Sequence, residues 1–405
     1  NITIEIISAL SGELGTHALN EITGGYTVLI KPSGAPRTIT GTSAASTGLI
    51  TLNGADRVTI DGSTTALADG PVAVAGNDQS LMITNLSTGG AVIWIRSTAA
   101  GNGATNNTIR NCVINGNSGT TTVAGILSGG SGTFGGDAEA PNSNNTIQHN
   151  VITKVQNAAY LRGGATTLIL DQNWLVTENT FGSTVAADKL GFRGMLIGNA
   201  QNFIVSKNMI NGVVSSSSSS STMSGIQVAL LVSGGLISQN KISDIKQINT
   251  VGWGSNGIFL AASSTASNLT VANNFVFDVA SYGYNSGTTQ SDNGYGIMVN
   301  AGGDYKIYFN SVLMATDQTN GGIPAAINIA SGIAAGAVDL RNNIFANTQT
   351  LGTRYVIYSA APATAYSAIN YNDYYPGTGV TLGYLGAAQA TLAAWQTATG
   401  QDANS

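Results

Sequence analysis

The sequence predicts an all-β solenoid, a parallel β-helix of about a dozen coils with long loops and a short C-terminal helical or turn cap. Three observations predict it: a phrase centred on asparagine that recurs along the chain, a second column of glycine followed by a β-forming hydrophobe, and a composition poor in charge. Of 405 residues, 15 are basic and 20 acidic, so only 9% are charged and the net charge is −5. That share is far below the usual ~25%, which argues against a surface of charged helices. A hydrophobic fraction of 42% with 52 glycines is enough for a substantial core and unlike a disordered chain. No basic stripe exists to hold a nucleic-acid backbone, so a nucleic-acid partner is not expected.

The chain is expected to form one β-helix domain over 1–405, with an N-terminal cap and first strands at 1–48, coils at 49–382 and a C-terminal cap at 383–405. The first strands are GGYTVLIKP at 24–32, LITLNGADRVTIDG at 49–62, SLMITNLST at 80–88 and AVIWIR at 91–96. Each is short and rich in β-branched residues, as strands are. The recurring phrase then begins: NNTIRNCVI at 106–114 is echoed by NNTIQHNVI at 144–152. Looser copies follow as LILDQNWL, FIVSKNMI, LISQNKI, LTVANNFV, YKIYFNSV, VDLRNNIF and SAINYNDY.

Aligned, these copies give the column Cys112, Asn150, Asn173, Asn208, Asn240, Asn274, Asn310, Asn343, Asn372, with apolar residues three places before and two after. Successive members are 38, 23, 35, 32, 34, 36, 33 and 29 residues apart, so the loops vary while the strands do not. Between the phrases lie Gly125-Ile126, Gly194-Met195, Gly225-Ile226, Gly257-Ile258 and Gly296-Ile297, with Ala326-Ile327 and Val356-Ile357 as later variants. Stacking coils at the strand spacing of ~4.8 Å places like above like. Asparagine then suits a corner twice over: it tolerates the left-handed backbone region, and its amides form ladders along the stack. The strict six-residue beat of a left-handed hexapeptide helix is absent.

Ser215 to Ser221 reads as a low-complexity loop tip. In LAAWQTATGQDANS at 392–405, Leu392 and Trp395 fall three apart, the spacing of a short amphipathic helix over the last coil. No run of ~18 apolar residues is present to insert in a membrane, and residues 1–10 lack the pattern of a signal peptide. The one cysteine, Cys112, reads as a small buried hydrophobe.

At these phrases the sequence resembles the right-handed parallel β-helix family, the pectate-lyase-like superfamily. It looks closest to secreted or surface β-helix proteins that gliding-type Gram-negative bacteria export through the type IX system. ITLNGADRVTIDGSTT at 50–65, AVIWIRSTAAGNGATNNTIRNCVI at 91–114 and the terminal LAAWQTATGQDANS carry the resemblance. It implies the right-handed sense and an extracellular or cell-surface location in a bacterium. Its motifs are corner and strand residues, so they specify fold more than activity.

Enzymes on this scaffold include polysaccharide lyases and glycoside hydrolases, and hydrolysis needs a pair of carboxylates within about 10 Å. The best constellation is Asp137 and Glu139 on the loop before His149, with Asp171 one coil further on; a histidine among carboxylates can do acid and base work. The plainer reading is a solvated loop beside a ladder histidine. Calcium is a weak expectation, at Asp137 with Glu139 or at Asp56 with Asp61, because a pair of carboxylates is short of the six to eight oxygens required; no other cofactor is implied. Tyr282, Tyr284, Tyr295 and Tyr375 are candidate glycan contacts, since a flat ring beside a polar group stacks on sugars. Tyr374 falls in a core column.

The expected function is accordingly a non-catalytic extracellular module, a stiff, sparsely charged rod in cell-surface architecture, adhesion or filament assembly, its partners being copies of itself, other surface proteins or a polysaccharide. The alternative is a polysaccharide lyase or glycoside hydrolase, or a glycan-binding module, on the same scaffold.

Overall fold

The computed structural model describes residues 1–65, 76–98, 101–217, 222–250, 253–282, 293–319 and 321–405. It is an all-β solenoid of about eleven turns with one short C-terminal helix, and 4% of it is helical. Two compact units divide the chain: Asn1–Gly191 with Met195–Met209, and Phe192–Gly194 with Ile210–Ser405. Among the described residues no helix is long and apolar enough to cross a membrane.

In the first unit, parallel pairing puts one β-branched or apolar residue above the next on each wall of the coil. The register runs Ile60, Ile109, Ile147, Val176, Val205 on one wall and Ile39, Ile83, Ile114, Ile152, Phe181 on another. A third wall is built from strands Gly48–Asn53, Ala91–Arg96, Ala124–Gly129 and Asn157–Arg162. There Ile93, Ile126 and Ala159 stack inward and are fully buried.

The second unit repeats the plan. Its columns are Ile237, Val271, Ile307, Leu340, Ile369, Ile242, Val276, Val312, Phe345, Tyr374 and Ile226, Ile258, Ile297, Ile327, Ile357. The glycine before each of the first three isoleucines in the last column has a steric cause. A Cβ on Gly257 would sit 2.2 Å from Val276 Cγ1 and 2.6 Å from Gly296 O. The neighbouring wall leaves no room for it. Helix Leu392–Thr399 starts at Thr391, whose side chain accepts from Ala394 N, and stops at Gly400 in the left-handed region. Its Trp395 is fully buried and donates to Asp402 Oδ2 at 2.9 Å.

The asparagine ladder exists, with one member different from the sequence alignment. In the first unit Cys112 N donates to Asn150 Oδ1, Asn150 N to Asn179 Oδ1 and Asn179 N to Asn208 Oδ1, at 2.9–3.0 Å. Asn179, not Asn173, therefore holds the third rung. Asn173 is exposed, sits at another corner and donates to Asn144 Oδ1 at 2.8 Å. In the second unit the rungs are Asn240, Asn274, Asn310, Asn343 and Asn372.

The backbone reason for the corner also differs from expectation. The left-handed residue is the one before each rung: Asn111, His149, Glu178 and Lys207 in the first unit, and Gln239, Asn273, Phe309, Asn342 and Tyr371 in the second. The rung asparagine is selected by its buried amide, which accepts from the backbone and side chain of one neighbour and donates to the next. Burial without those partners would be costly.

Candidate functional site

On the third wall of the first unit, residues between the inward ones face outward. Thr51, Trp94, Leu127 and Tyr160 stand in one outward row, and Asn53, Arg96 and Gly129 in a second. From Gly129 the chain leaves the wall in a glycine-rich loop that carries Phe134, Asp137 and Glu139. This loop folds back over the row, and Phe134 meets Trp94 edge to face at 5.2 Å. Gly132 to Asp137, Glu139 and Arg162 line a cavity of about 670 Å³, within the size range of ligand sites.

Two carboxylates face this cavity, each held by its own partners. Glu139 accepts from Ser97 Oγ at 2.6 Å, from Ser131 N at 3.0 Å and from Gly132 N at 2.8 Å. Burial alone would raise its pKa, but these hydrogen bonds outweigh it and hold the carboxyl below the usual glutamate range. Glu139 is thus a fixed anion and a weak base. Gly130 makes this seat: a Cβ there would come within 2.8 Å of the Glu139 carboxylate. Asp137 Oδ1 accepts from Arg162 Nε at 2.7 Å and from Asn199 Nδ2 at 2.8 Å, and the hydrogen bond to Asp137 raises the Arg162 guanidinium's pKa.

Beyond the Trp94 and Phe134 pair lies a smaller cavity of about 240 Å³, lined by Leu14, Thr16, Ala44, Thr51, Trp94 and Arg96 among others. The Arg96 guanidinium lies 4.6 Å over the Trp94 ring, and its Nε donates to Asn53 Oδ1 at 2.7 Å. Desolvation lowers the Arg96 pKa, and the charge of Glu139 opposes that shift. Trp94 is buried, and among the described residues its Nε1 has no hydrogen-bond partner.

The other expected acid–base residues do not join Asp137 and Glu139 at the cavity. Asp171 is buried; its carboxyl accepts from Asn142 N at 2.7 Å and Trp174 Nε1 at 3.1 Å, and burial pushes its pKa up to about 8. It lies behind Gly163, where a Cβ would come 2.9 Å from Asp171 Cγ, and so serves the wall. His149 stands at the ladder corner. Its Nδ1 is 2.8 Å from Asn111 Oδ1, while Asn111 Nδ2 donates to Asp61 Oδ1 at 2.8 Å. Since the amide nitrogen is turned to Asp61, Nδ1 carries the hydrogen and donates.

The expected calcium pairs are likewise committed to protein partners. Asp61 is fully buried against Arg110 at 2.6 Å, and Asp56 Oδ1 accepts from Thr105 N and Oγ1. Among the described residues no three of His, Cys, Asp and Glu cluster as a metal-ligand set.

The described tyrosines expected as glycan contacts stand in different settings. Tyr295 is buried in a cluster with Met298, Ala325 and Tyr355, so it presents no face to a sugar. Tyr375 is 60% exposed, Tyr282 is half-buried with its backbone N–H on Gln247 O, and Tyr284 lies outside the described residues. Tyr374, half-buried, stacks on Phe345 and donates to Asp402. Arg96, Arg162, Trp94 and Phe134 were missed by sequence reasoning. The signal for three of them was present: Trp94, Arg96 and Arg162 occupy the outward places of strands whose alternation is clear.

No family model matches the chain, and no curated protein matches it. Among solved structures, the Azotobacter vinelandii mannuronan C-5 epimerase AlgE4 A-module is similar over 89% of this chain and 91% of its own, at 13% identity and a TM-score of 0.52. The AlgE6 A-module of the same organism shares the same coverage and identity with a TM-score of 0.50. A mannuronic acid-specific family 6 polysaccharide lyase from the human gut microbiota covers 92% of this chain at 13% identity, with a TM-score of 0.42. At these identities the likeness is one of fold, the parallel β-solenoid. The expectation of a non-catalytic structural rod is nevertheless corrected: the two A-modules that share this fold are by name mannuronan C-5 epimerases, and the alternative reading is the one carried forward.

Proposed function

We propose that the protein is a polysaccharide-acting enzyme whose substrate lies in the cavity of Asp137, Glu139 and Arg162. One observation carries the reading: two carboxylates and a guanidinium converge on one cavity beside an aromatic pair. The similarity of backbone to two modules named for action on mannuronan supports it. Hydrolysis is the reaction that a carboxylate pair favours, the glycosidic bond breaking as water adds across it. In that reaction Glu139 supplies fixed negative charge to a developing oxocarbenium ion. Asp137, its carboxylate oriented by Arg162, takes a proton from the attacking water and passes it to the leaving oxygen as the glycosidic bond breaks. The resemblance to β-helix proteins exported by the type IX system supports a setting outside a bacterial cell.

The test is a panel of plant, algal and bacterial polysaccharides assayed for new reducing ends and for unsaturated ends. Release by the wild type, lowered about 100-fold in Glu139→Gln with the fold intact by circular dichroism, is the expected result. Absence of product with every polymer refutes the proposal, and full activity in Glu139→Gln refutes the site.

A further inference from the structure

We infer that the second unit carries a docking face for a second copy of this chain, and that the two copies meet there about a two-fold axis lying along the strands. The face is the outer surface of the wall whose inward column is Ile242, Val276, Val312, Phe345 and Tyr374. It is independent of the proposed action on polysaccharide.

The face follows from strand alternation. With that column turned inward, its neighbours on strands Lys241–Gln247, Phe275–Phe277, Ser311–Met314, Ile344–Asn347 and Asp373–Pro376 point outward. Register places Lys241, Phe275, Ser311, Ile344 and Asp373 in one outward row, and Phe277, Leu313, Ala346 and Tyr375 in the row beside it. Phe309 and Tyr371 stand at the left-handed corners that lead into two of these strands. Phe275, Phe309, Ile344, Tyr371 and Tyr375 are each 45–60% exposed. Exposed apolar residues scattered singly are ordinary, but a contiguous set on successive coils marks an interaction site. The rings of Phe275 and Phe277 lie 5.0 Å apart, and Lys241 Nζ is 5.7 Å from the centre of the Phe277 ring, so the two rows form one surface.

The occupant follows from the order of the first row. It begins with a cation and ends with an anion, and among the described residues neither Lys241 nor Asp373 is ion-paired. A two-fold axis along the strand at Ser311 reverses the order of the coils and keeps position along the strand. Lys241 then meets the partner's Asp373, Phe275 meets the partner's Ile344, and Ser311 meets the partner's Ser311. In the second row Phe277 lies over the partner's Ala346, a large ring against a small side chain. Self-complementarity of this kind is what a closed dimer requires. A two-fold axis parallel to the stack would instead keep coil order and bring Lys241 toward the partner's Lys241, so charge selects the first arrangement. Sheets packed face to face lie ~10 Å apart, which accommodates one layer of side chains from each copy. Five strands at ~4.8 Å make a face about 20 Å long. Burial of roughly 1,000 Å² over both copies is the size of a weak, reversible interface.

The experiment is sedimentation equilibrium of the whole chain from ~1 to ~500 μM in ~50 mM NaCl, with circular dichroism to confirm that each variant is folded. Expected is a monomer–dimer equilibrium with a Kd in the range of about 10–100 μM. Ile344→Lys, at an exposed position that leaves the core untouched, should weaken it at least about tenfold. Lys241→Asp and Asp373→Lys each set like charges against one another at both ends of the interface. Each should weaken the dimer about tenfold, although the two shift net charge in opposite directions. An equimolar mixture of these two variants should recover the dimer, because both ends again pair an acid with a base. A chain that stays monomeric throughout, or an assembly indifferent to Ile344→Lys, overturns the docking face. Single charge variants that dimerise as the wild type does, or a mixture that does not recover, overturn the two-fold arrangement.

Discussion

Replacing Asn179 by alanine should unfold the first unit far more readily than replacing Asn173, six residues earlier. Asn179 is 1% exposed. Its Oδ1 accepts from Asn150 N at 2.9 Å and Asn150 Nδ2 at 3.0 Å, and its Nδ2 donates to Ile147 O, Thr177 O and Asn208 Oδ1, each at 2.9 Å. Several of these groups keep a second partner after truncation: Thr177 O still accepts from His149 N, and Asn150 Nδ2 still donates to Ile109 O. Asn150 N–H loses its partner in a buried place. At ~1–3 kcal/mol for a stranded group, the substitution costs about 1–3 kcal/mol. Asn173→Ala breaks one exposed amide contact to Asn144 and should cost about 0.5 kcal/mol or less. Urea unfolding followed by circular dichroism, with hydrogen exchange of the Asn150 amide as a local probe, separates the two. Equal midpoints, or an Asn150 amide still protected in Asn179→Ala, would refute the account of the ladder.

Two further outcomes follow from the same geometry. Burial raises the Asp171 pKa to about 8 from an unfolded value of ~3.9, so its stabilising protonated form is fully present below the lower value. Stability should therefore fall as pH rises between the two; Asp171→Asn should flatten that slope in thermal melts at pH 5, 7 and 9, and an unchanged slope would assign it elsewhere. Gly257→Ala should destabilise the second unit by about 1–3 kcal/mol, because its Cβ would overlap Val276 Cγ1 and Gly296 O; a neutral effect on the denaturation midpoint would show that the wall can move.

The repeat made most of the fold legible, because a solenoid puts its long-range contacts at one recurring offset. Ile109 pairs with Ile147, and Ile307 with Leu340, as the aligned phrases alone require. The misplaced rung shows where this stops. LILDQNWLVTENTF offers two asparagines, each flanked by apolar residues, and local pattern cannot choose between Asn173 and Asn179. Spacing could have chosen, since Asn179 lies 29 residues from Asn150 and Asn208 alike. The site was less legible. Asp137 and Glu139 stand out as acids in a glycine-rich loop, but Arg162 reaches Asp137 from the next coil. His149 is near them in sequence only. Its corner turns it toward Asn111, which lies 38 residues earlier. Proximity in such a chain is set by the coil length, which loops of variable size conceal.

The left-handed residue that precedes each rung carries the last consequence. Across nine corners it is Asn, His, Glu, Lys, Gln, Asn, Phe, Asn and Tyr, side chains that share neither size nor charge. The coil fixes the backbone there and leaves the letter free, because the amide beside it supplies the adhesion. Such positions are where drift can accumulate and where an ancestor could acquire a new acid, base or ring without remaking its interior. A diversified lineage should therefore differ most at these corners and least at the rungs beside them.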